Sequence, residues 1–320
     1  MSADGGTNVN DAQAAGPMSS DIRVVVTGTN GQVARSLVEL GPPAGFHVTS
    51  LGKALFDLAD ATTHGRQIEA AEPEIIVSAA AHTDATVAEK EPERANAINI
   101  LGAEKLAKIA QELAIPIIHL STAYVFDGMS PAPYREGDPV APLNVYGRSK
   151  LMGERAVMAA CARHVILRLS WMYSPFGRNV VTAMLAHVAK SDTIRVVTDQ
   201  SGNPTAATDV AQGVMQIARN LLRGNPRPDT YGLFHMSAQG IATPLELASA
   251  VFAASAALGG PSPRIIPITS ADYSAQVRRP PNATLDSTKL AAVHGVTLPD
   301  WRDSLPISVT RIIKDMANTA

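Results

Sequence analysis

Between Ile22 and Leu169 the apolar positions fall into short β-branched runs separated by stretches with helical spacing. Residues 22–27, 46–51, 74–81, 115–120 and 165–169 are short and largely apolar, which predicts buried strands of a parallel sheet. Residues 32–40 and 95–113 carry the period of a helix, and the helix formers of 151–160 extend another that opens after Pro142. Such alternation predicts an α/β fold, a Rossmann-like doubly wound parallel sheet. After Leu169 the pattern loosens. Residues 170–173 read as a loop, 193–198 as a short strand, 209–223 as a helix, 232–236 as a strand and 244–258 as a helix, and prolines crowd 261–281. This organisation predicts a tail at 1–20, a sheet domain at 21–170 to which the strands near 193–198 and 232–236 contribute, and a smaller C-terminal lobe occupying most of 171–320.

Composition removes several alternatives. A net charge of -2 with a pI near 6.4 and no basic run argues against a nucleic-acid binder. No window approaches the roughly 18 apolar residues of a membrane span. Cys161 is the only cysteine, so no intrachain disulfide or cysteine-based zinc site is available, and the cytoplasm is the expected compartment. No carboxylate or histidine cluster suggests a metal. Residues 1–20 are small and polar, unlike a secretory signal, and read as disordered, with Met18 as an alternative start.

The first strand ends in Gly28-Thr-Asn-Gly31-Gln-Val-Ala34. A glycine turn between a buried strand and a helix presents backbone N–H groups to a pyrophosphate, so Gly28, Asn30, Gly31, Gln32 and Val33 are cofactor candidates. The first gap is one residue wider than in the usual dinucleotide fingerprint, and an ordinary strand-to-helix turn is the competing reading. The second strand ends without the carboxylate that holds a ribose 2′-hydroxyl; Ser50 and Lys53 supply a hydroxyl and an ammonium, which favours NADPH, with NADH as the alternative. Lys53 as a solvated loop residue is nearly as good a reading. Asp57 and Leu58 are placed at the adenine edge, and Ala79, Ala80 and Ala81 at a strand end that a ligand can approach closely. Tyr146 precedes Lys150 by four residues, so on a helix a phenol and an ammonium share a face and the charge favours the phenolate. Alone this spacing arises by chance about 0.15 times in such a chain, so its weight comes from the company of the glycine turn and of Ser121-Thr122.

In that order these motifs resemble an extended short-chain dehydrogenase/reductase. The blocks Ser121-Thr-Ala-Tyr-Val-Phe-Asp-Gly128, Ala141-Pro-Leu-Asn-Val-Tyr-Gly147, Thr198-Asp-Gln-Ser-Gly-Asn-Pro-Thr205 and Arg278-Arg-Pro-Pro-Asn-Ala-Thr-Leu285 are similar to the dTDP-4-dehydrorhamnose reductase family, over about residues 22–301. The resemblance implies NAD(P)H-dependent reduction of a nucleotide-linked 4-keto-6-deoxysugar. It implies that Tyr146 donates the proton, that Lys150 lowers the pKa of Tyr146 and holds the nicotinamide ribose, and that Thr122 bonds the same oxygen. It places Trp171 and Tyr173 in the sugar pocket, with His82, Ala123 and Tyr124 at its border, and gives Arg278 to the substrate diphosphate; core packing for Trp171 and a surface charge for Arg278 are the alternatives. Two positions depart from the family: Ala123 and Thr86 stand where it usually has Asp. A partner is implied only as the sugar nucleotide, and a homodimer is left open. The regulatory subunit of methionine adenosyltransferase is similar across 124–128 and 142–146, which offers a non-catalytic alternative. A sugar-nucleotide epimerase is another, whereas a dehydratase would need Asp-Glu in place of Ala123-Tyr124.

Overall fold

The computed structural model describes residues 21–53, 56–60, 64–189, 191–273 and 277–318; the expected N-terminal tail lies outside them. The strands are β1 (Ile22–Thr27), β2 (Phe46–Leu51), β3 (Ile75–Ser78), β4 (Ile117–Thr122), β5 (His164–Leu169), β6 (Met172–Tyr173), β7 (Thr193–Val197), β8 (Ser201–Gly202), β9 (Thr205–Ala206), β10 (Gly232–His235), β11 (Arg264–Ile268) and β12 (Asn282–Ala283). The α-helices are α1 (Gln32–Leu40), α2 (His64–Ala70), α3 (Ala85–Lys90), α4 (Pro92–Asn96), α5 (Ala103–Glu112), α6 (Val145–Ala160), α7 (Val180–Val188), α8 (Ala207–Leu222), α9 (Pro244–Ala256), α10 (Thr288–His294) and α11 (Trp301–Ala317). The helical stretch expected at 95–113 is interrupted by a π-helical segment, Ala97–Gly102, between α4 and α5.

Six strands form a parallel sheet in the order β10-β5-β4-β3-β1-β2. The chain leaves β1 for β2 on one side and returns to β3 on the other, so the switch point at which such sheets bind ligands lies at the end of β1. Both faces are covered, as continuous apolar strands require. Val24, Val26, Val77, Ile118 and Leu120 pack with α1 and α8 on one face, while Val25, Ile76, Ile117 and Ile166 pack with α5 and Val157 of α6 on the other. This alternation follows from the two-residue period of a strand. Residues 207–222 and 232–235 thus return to the sheet layer although they follow the first lobe elements in sequence.

The second core gathers α7, α9 and α11 around Val181, Leu185, Val251, Trp301 and Leu305. β7, expected to contribute to the sheet domain, instead pairs with β11, a strand inside the proline-dense stretch, in a separate two-stranded sheet, and Met172–Tyr173, expected in a loop, pairs with β9. Tyr173 belongs to this core: it is fully buried and its hydroxyl donates to the Trp301 carbonyl at 3.3 Å. It does not face the cavity described next.

Candidate active site

The cavity lies at the switch point and encloses about 880 Å³. Its floor begins at Gly28, whose φ of +94° is a backbone state that L side chains rarely adopt and whose added Cβ would press to 3.3 Å from the Cβ of Ala80. Gly31 caps α1 without a side-chain bond, leaving the first-turn N–H groups available to an anion. The buried Thr27 hydroxyl accepts from the N–H groups of Ala79 and Ala80, both at 3.0 Å, and so fixes the alanine strand end beside the glycine turn. Gly28, Asn30, Gly31, Gln32 and Val33, then Lys53, Asp57 and Leu58, and Ala79, Ala80, Ala81 and His82 all line the cavity. Ser50, on β2, does not line it. The narrow glycine turn, open helix N-terminus and long trough fit a dinucleotide.

Thr122, Tyr146 and Lys150 open onto this same cavity. Helix α6 starts where it does because the Asn144 side chain accepts from Gly147 N at 2.8 Å, while its amide donates to the Arg278 carbonyl at 2.9 Å. The first turn is also tied to the π-helical segment, where Asn99 is buried. Asn99 exchanges bonds with the His82 backbone at 2.8 and 3.0 Å and donates to Ser149 Oγ at 2.9 Å, and Ser149 in turn donates to the Tyr146 carbonyl. At Gly153 any Cβ would overlap the Asn99 carbonyl, so this packing requires glycine.

Burial pushes the Tyr146 hydroxyl up to about 12; a hydrogen bond from the Thr122 side chain opposes this and the neighbouring Tyr124 adds to it. The expected lowering by Lys150 does not hold: burial raises the phenol, and the Lys150 ammonium is turned into the protein, donating to the Leu120 carbonyl at 2.7 Å and to His119 Nε2 at 3.2 Å. Burial also pulls Lys150 down to about 8, against the attraction of Glu154. Tyr146 is therefore a protonated acid at neutral pH, bonded to a second hydroxyl and standing above a buried cation. That set can deliver a proton to a carbonyl oxygen as negative charge develops there.

The family described as the RmlD substrate binding domain matches residues 22–314. A dTDP-4-dehydrorhamnose reductase of Sinorhizobium fredii is 44% identical over 283 residues, covering 88% of this chain and 95% of that protein. The chain belongs to the dTDP-4-dehydrorhamnose reductase family. The Escherichia coli K12 member is 35% identical, covering 93% of this chain and 99% of its own. The crystal structure of the Bacillus anthracis member in complex with NADP superposes with a TM-score of 0.82 at 29% identity, over 91% of this chain and 99% of that one.

Against the family pattern, the two departures sit differently. Ala123 is 1% exposed and packs with Val125, Phe126, Tyr134 and Leu285, so it extends an apolar cluster and does not line the cavity. The helix holding Thr86 is capped by Asp84, whose Oδ1 accepts from Thr86 N at 2.9 Å and Val87 N at 3.1 Å; Asp84 lines the cavity and Thr86 does not. Tyr124 meets Tyr146 edge to face, with ring centroids 5.8 Å apart, outside the cavity wall. Burial raises its hydroxyl and the charge of Arg279 opposes that rise. Of the two adjacent arginines, both exposed and off the cavity, Arg279 is the one whose charge reaches Tyr124. Trp171 does line the cavity, with a left-handed φ of +38° that is costly for a bulky residue. Its carbonyl accepts from Thr205 N at 3.0 Å, and a Cβ at Gly202 would overlap its indole. Arg94, Met172 and Arg178 also line the cavity; they lie in short or irregular segments where spacing gives no signal, and sequence reasoning passed over them.

Proposed function

We propose that this chain reduces the 4-keto group of a dTDP-linked 6-deoxysugar, and that the residues of the cavity divide the work as follows. The carrying observation is that Thr122, Tyr146 and Lys150 share one cavity with a glycine turn and an open helix N-terminus. NADPH supplies the hydride when bound along the trough. Gly28, Asn30, Gly31, Gln32 and Val33 hold its pyrophosphate, Ala79 to Ala81 allow close approach of its ribose, and Lys53 meets the 2′-phosphate. Tyr146 gives its hydroxyl proton to the sugar C4 oxygen, Thr122 bonds that oxygen, and Lys150 keeps a positive charge beneath both. Trp171 forms the wall against which the sugar lies. His82 stands at the border of this sugar site. Residues 22–170, with α8 and β10, form the cofactor-binding part, and most of the rest forms the sugar lobe. The compartment of action is the cytoplasm.

The test is oxidation of NADPH, followed at its nicotinamide absorbance, with dTDP-4-keto-6-deoxysugars. Stoichiometric conversion to the 4-hydroxy sugar is expected. Tight NADPH binding with no oxidation by any such sugar would instead support a regulatory protein, and sugar inversion without net NADPH loss would support an epimerase.

A further inference from the structure

Beneath Lys150 lies a buried histidine that the reaction as described does not use. His119, on β4, is 1% exposed. Its Nε2 is 3.2 Å from Lys150 Nζ and its Nδ1 is 3.0 Å from Ser78 Oγ, at the end of β3. An ammonium can only donate, so Nε2 must be the accepting nitrogen. The ring proton therefore sits on Nδ1 and goes to the Ser78 hydroxyl, which fixes the tautomer. We propose that His119, locked by Ser78, is a positioning residue that holds the Lys150 ammonium to the cavity floor and stabilises its charge.

Three further observations support this assignment. Leu120 O and His119 Nε2 take two of the three ammonium protons, which leaves one for the cavity that Lys150 lines. Burial, with the Lys150 charge second, holds the imidazole well below its usual range, so it stays a neutral acceptor across the working pH. The other titratable and charged groups around the cluster are Tyr146 and Glu154 on α6 and Arg168 on β5, and Arg168 is already spent on Glu154. His119 is thus the one side-chain acceptor on the ammonium among the described residues.

The test follows Lys150 itself by NMR of ε-carbon-labelled lysine, its signal assigned by loss in Lys150→Met. This titration needs neither cofactor nor sugar. In the wild type the midpoint is expected at about 8. Loss of the acceptor in His119→Leu removes a hydrogen bond to a charged group and should lower the midpoint by about one pH unit or more. His119→Gln, which can present a carbonyl oxygen near the Nε2 position, should restore most of it. Ser78→Ala frees the proton to move to Nε2 and should shift the midpoint in the same direction by a smaller amount; it decides the matter if His119→Leu does not fold. The basic limb of kcat against pH should move with the NMR midpoint while KM for NADPH stays near wild type. An unchanged midpoint in His119→Leu or, failing that variant, in Ser78→Ala overturns the proposal, as does a Gln variant shifted as far as Leu. The kinetic arm rests on the reductase reading. The expected shifts of the Lys150 midpoint in a protein that turns over no sugar would defeat that reading and leave the histidine lock standing.

Discussion

The buried ion pair under α6 offers a sharp test of how the catalytic helix is held. The Glu154 carboxylate accepts from Arg168 Nε at 2.9 Å, from Arg168 Nη2 at 2.7 Å and from Ser121 Oγ at 2.5 Å, and the two charged side chains are 0% and 3% exposed. Arg168→Met keeps most of the stem and removes both charge-assisted donors, leaving a buried carboxylate with one hydroxyl. Breaking such a pair from one side costs about 3–5 kcal/mol. At about 1.5 °C per kcal/mol for a chain of this size, the midpoint of thermal unfolding should fall by roughly 5–8 °C. Glu154→Gln should also destabilise, because it strands a guanidinium whose Nη1 already has no hydrogen-bond partner among the described residues. Removing both charges together, as Arg168→Met with Glu154→Gln, should cost much less than the sum of the two single changes. The internal control is Arg311, which makes an equally well-formed bidentate contact with Glu39 at 2.6 and 2.9 Å but with both partners about two-fifths exposed. Arg311→Met should cost about 1 kcal/mol or less, because water already solvates both ends. Far-ultraviolet circular dichroism melts of the four variants decide it. Arg168→Met within about 1 kcal/mol of the wild type, no worse than the surface control, would refute the argument that burial sets the magnitude.

Other outcomes follow from the same geometry. Tyr146→Phe removes the proton donor and nothing from the cofactor trough, so kcat should fall by about 10²–10⁴-fold with NADPH affinity, read by fluorescence titration, essentially unchanged. Gly202→Ala forces the Trp171 indole to move, so kcat/KM for the sugar nucleotide should drop by about tenfold or more at unaltered NADPH affinity. Lys150 is lowered from its ordinary 10.5 to about 8 in the folded chain, so below pH 8 both folded and unfolded states carry its proton and its burial penalty is felt in full. Between pH 8 and 10.5 the unfolded chain binds more protons than the folded one, and stability rises with pH by up to about 3 kcal/mol from this group. Urea melts should therefore show Lys150→Met more stable than the wild type at pH 7, by a margin that narrows as pH rises through that window; a constant margin would count against the buried ammonium.

How much of this was legible from residues alone depended on whether a signal was local. The strand, glycine turn and helix from Ile22 to Leu40 follow from apolar run length and turn chemistry, and the structure has them at the expected residues. Helix α11 was not foreseen, since Pro306 reads as a breaker. It persists because Trp301, Leu305, Val309 and Ile312 recur on one face and bury against α9, an apolar stripe that offsets the lost backbone bond. Strand β11 was hidden by Pro267, which an edge strand pairing on one side tolerates. Tyr173 and Ala123 were assigned to the sugar pocket by resemblance, and the structure puts both in apolar clusters off the cavity. Periodicity cannot distinguish a side chain at a cavity wall from one a single step behind it.

The polar seam under the active site shows what sequence held without displaying. Along β4, Ile117 faces α5 and α6 while Ile118 and Leu120 face α1 and α8, so His119 and Ser121 turn towards α6 with Ile117. Along α6, Lys150 and Glu154 are one turn apart on one face. Two residues of strand advance about 6.6 Å and four residues of helix about 6 Å, so a strand step matches a helix step when the two run side by side. The match pairs His119 with Lys150 and Ser121 with Glu154. Each half of the seam is ordinary on its own, a histidine and a serine in a buried strand, a lysine and a glutamate on a helix. Only the register between β4 and α6 makes them ligands of one another, and that register is set at a distance, by Asn144 at the start of the helix and by the contact of Gly153 with Asn99. A residue that shifts this register should therefore disturb Lys150 and the Glu154 pair together. Gly153→Ala is the direct case: its Cβ overlaps the Asn99 carbonyl, and both the lysine titration and the thermal midpoint should move in that single variant.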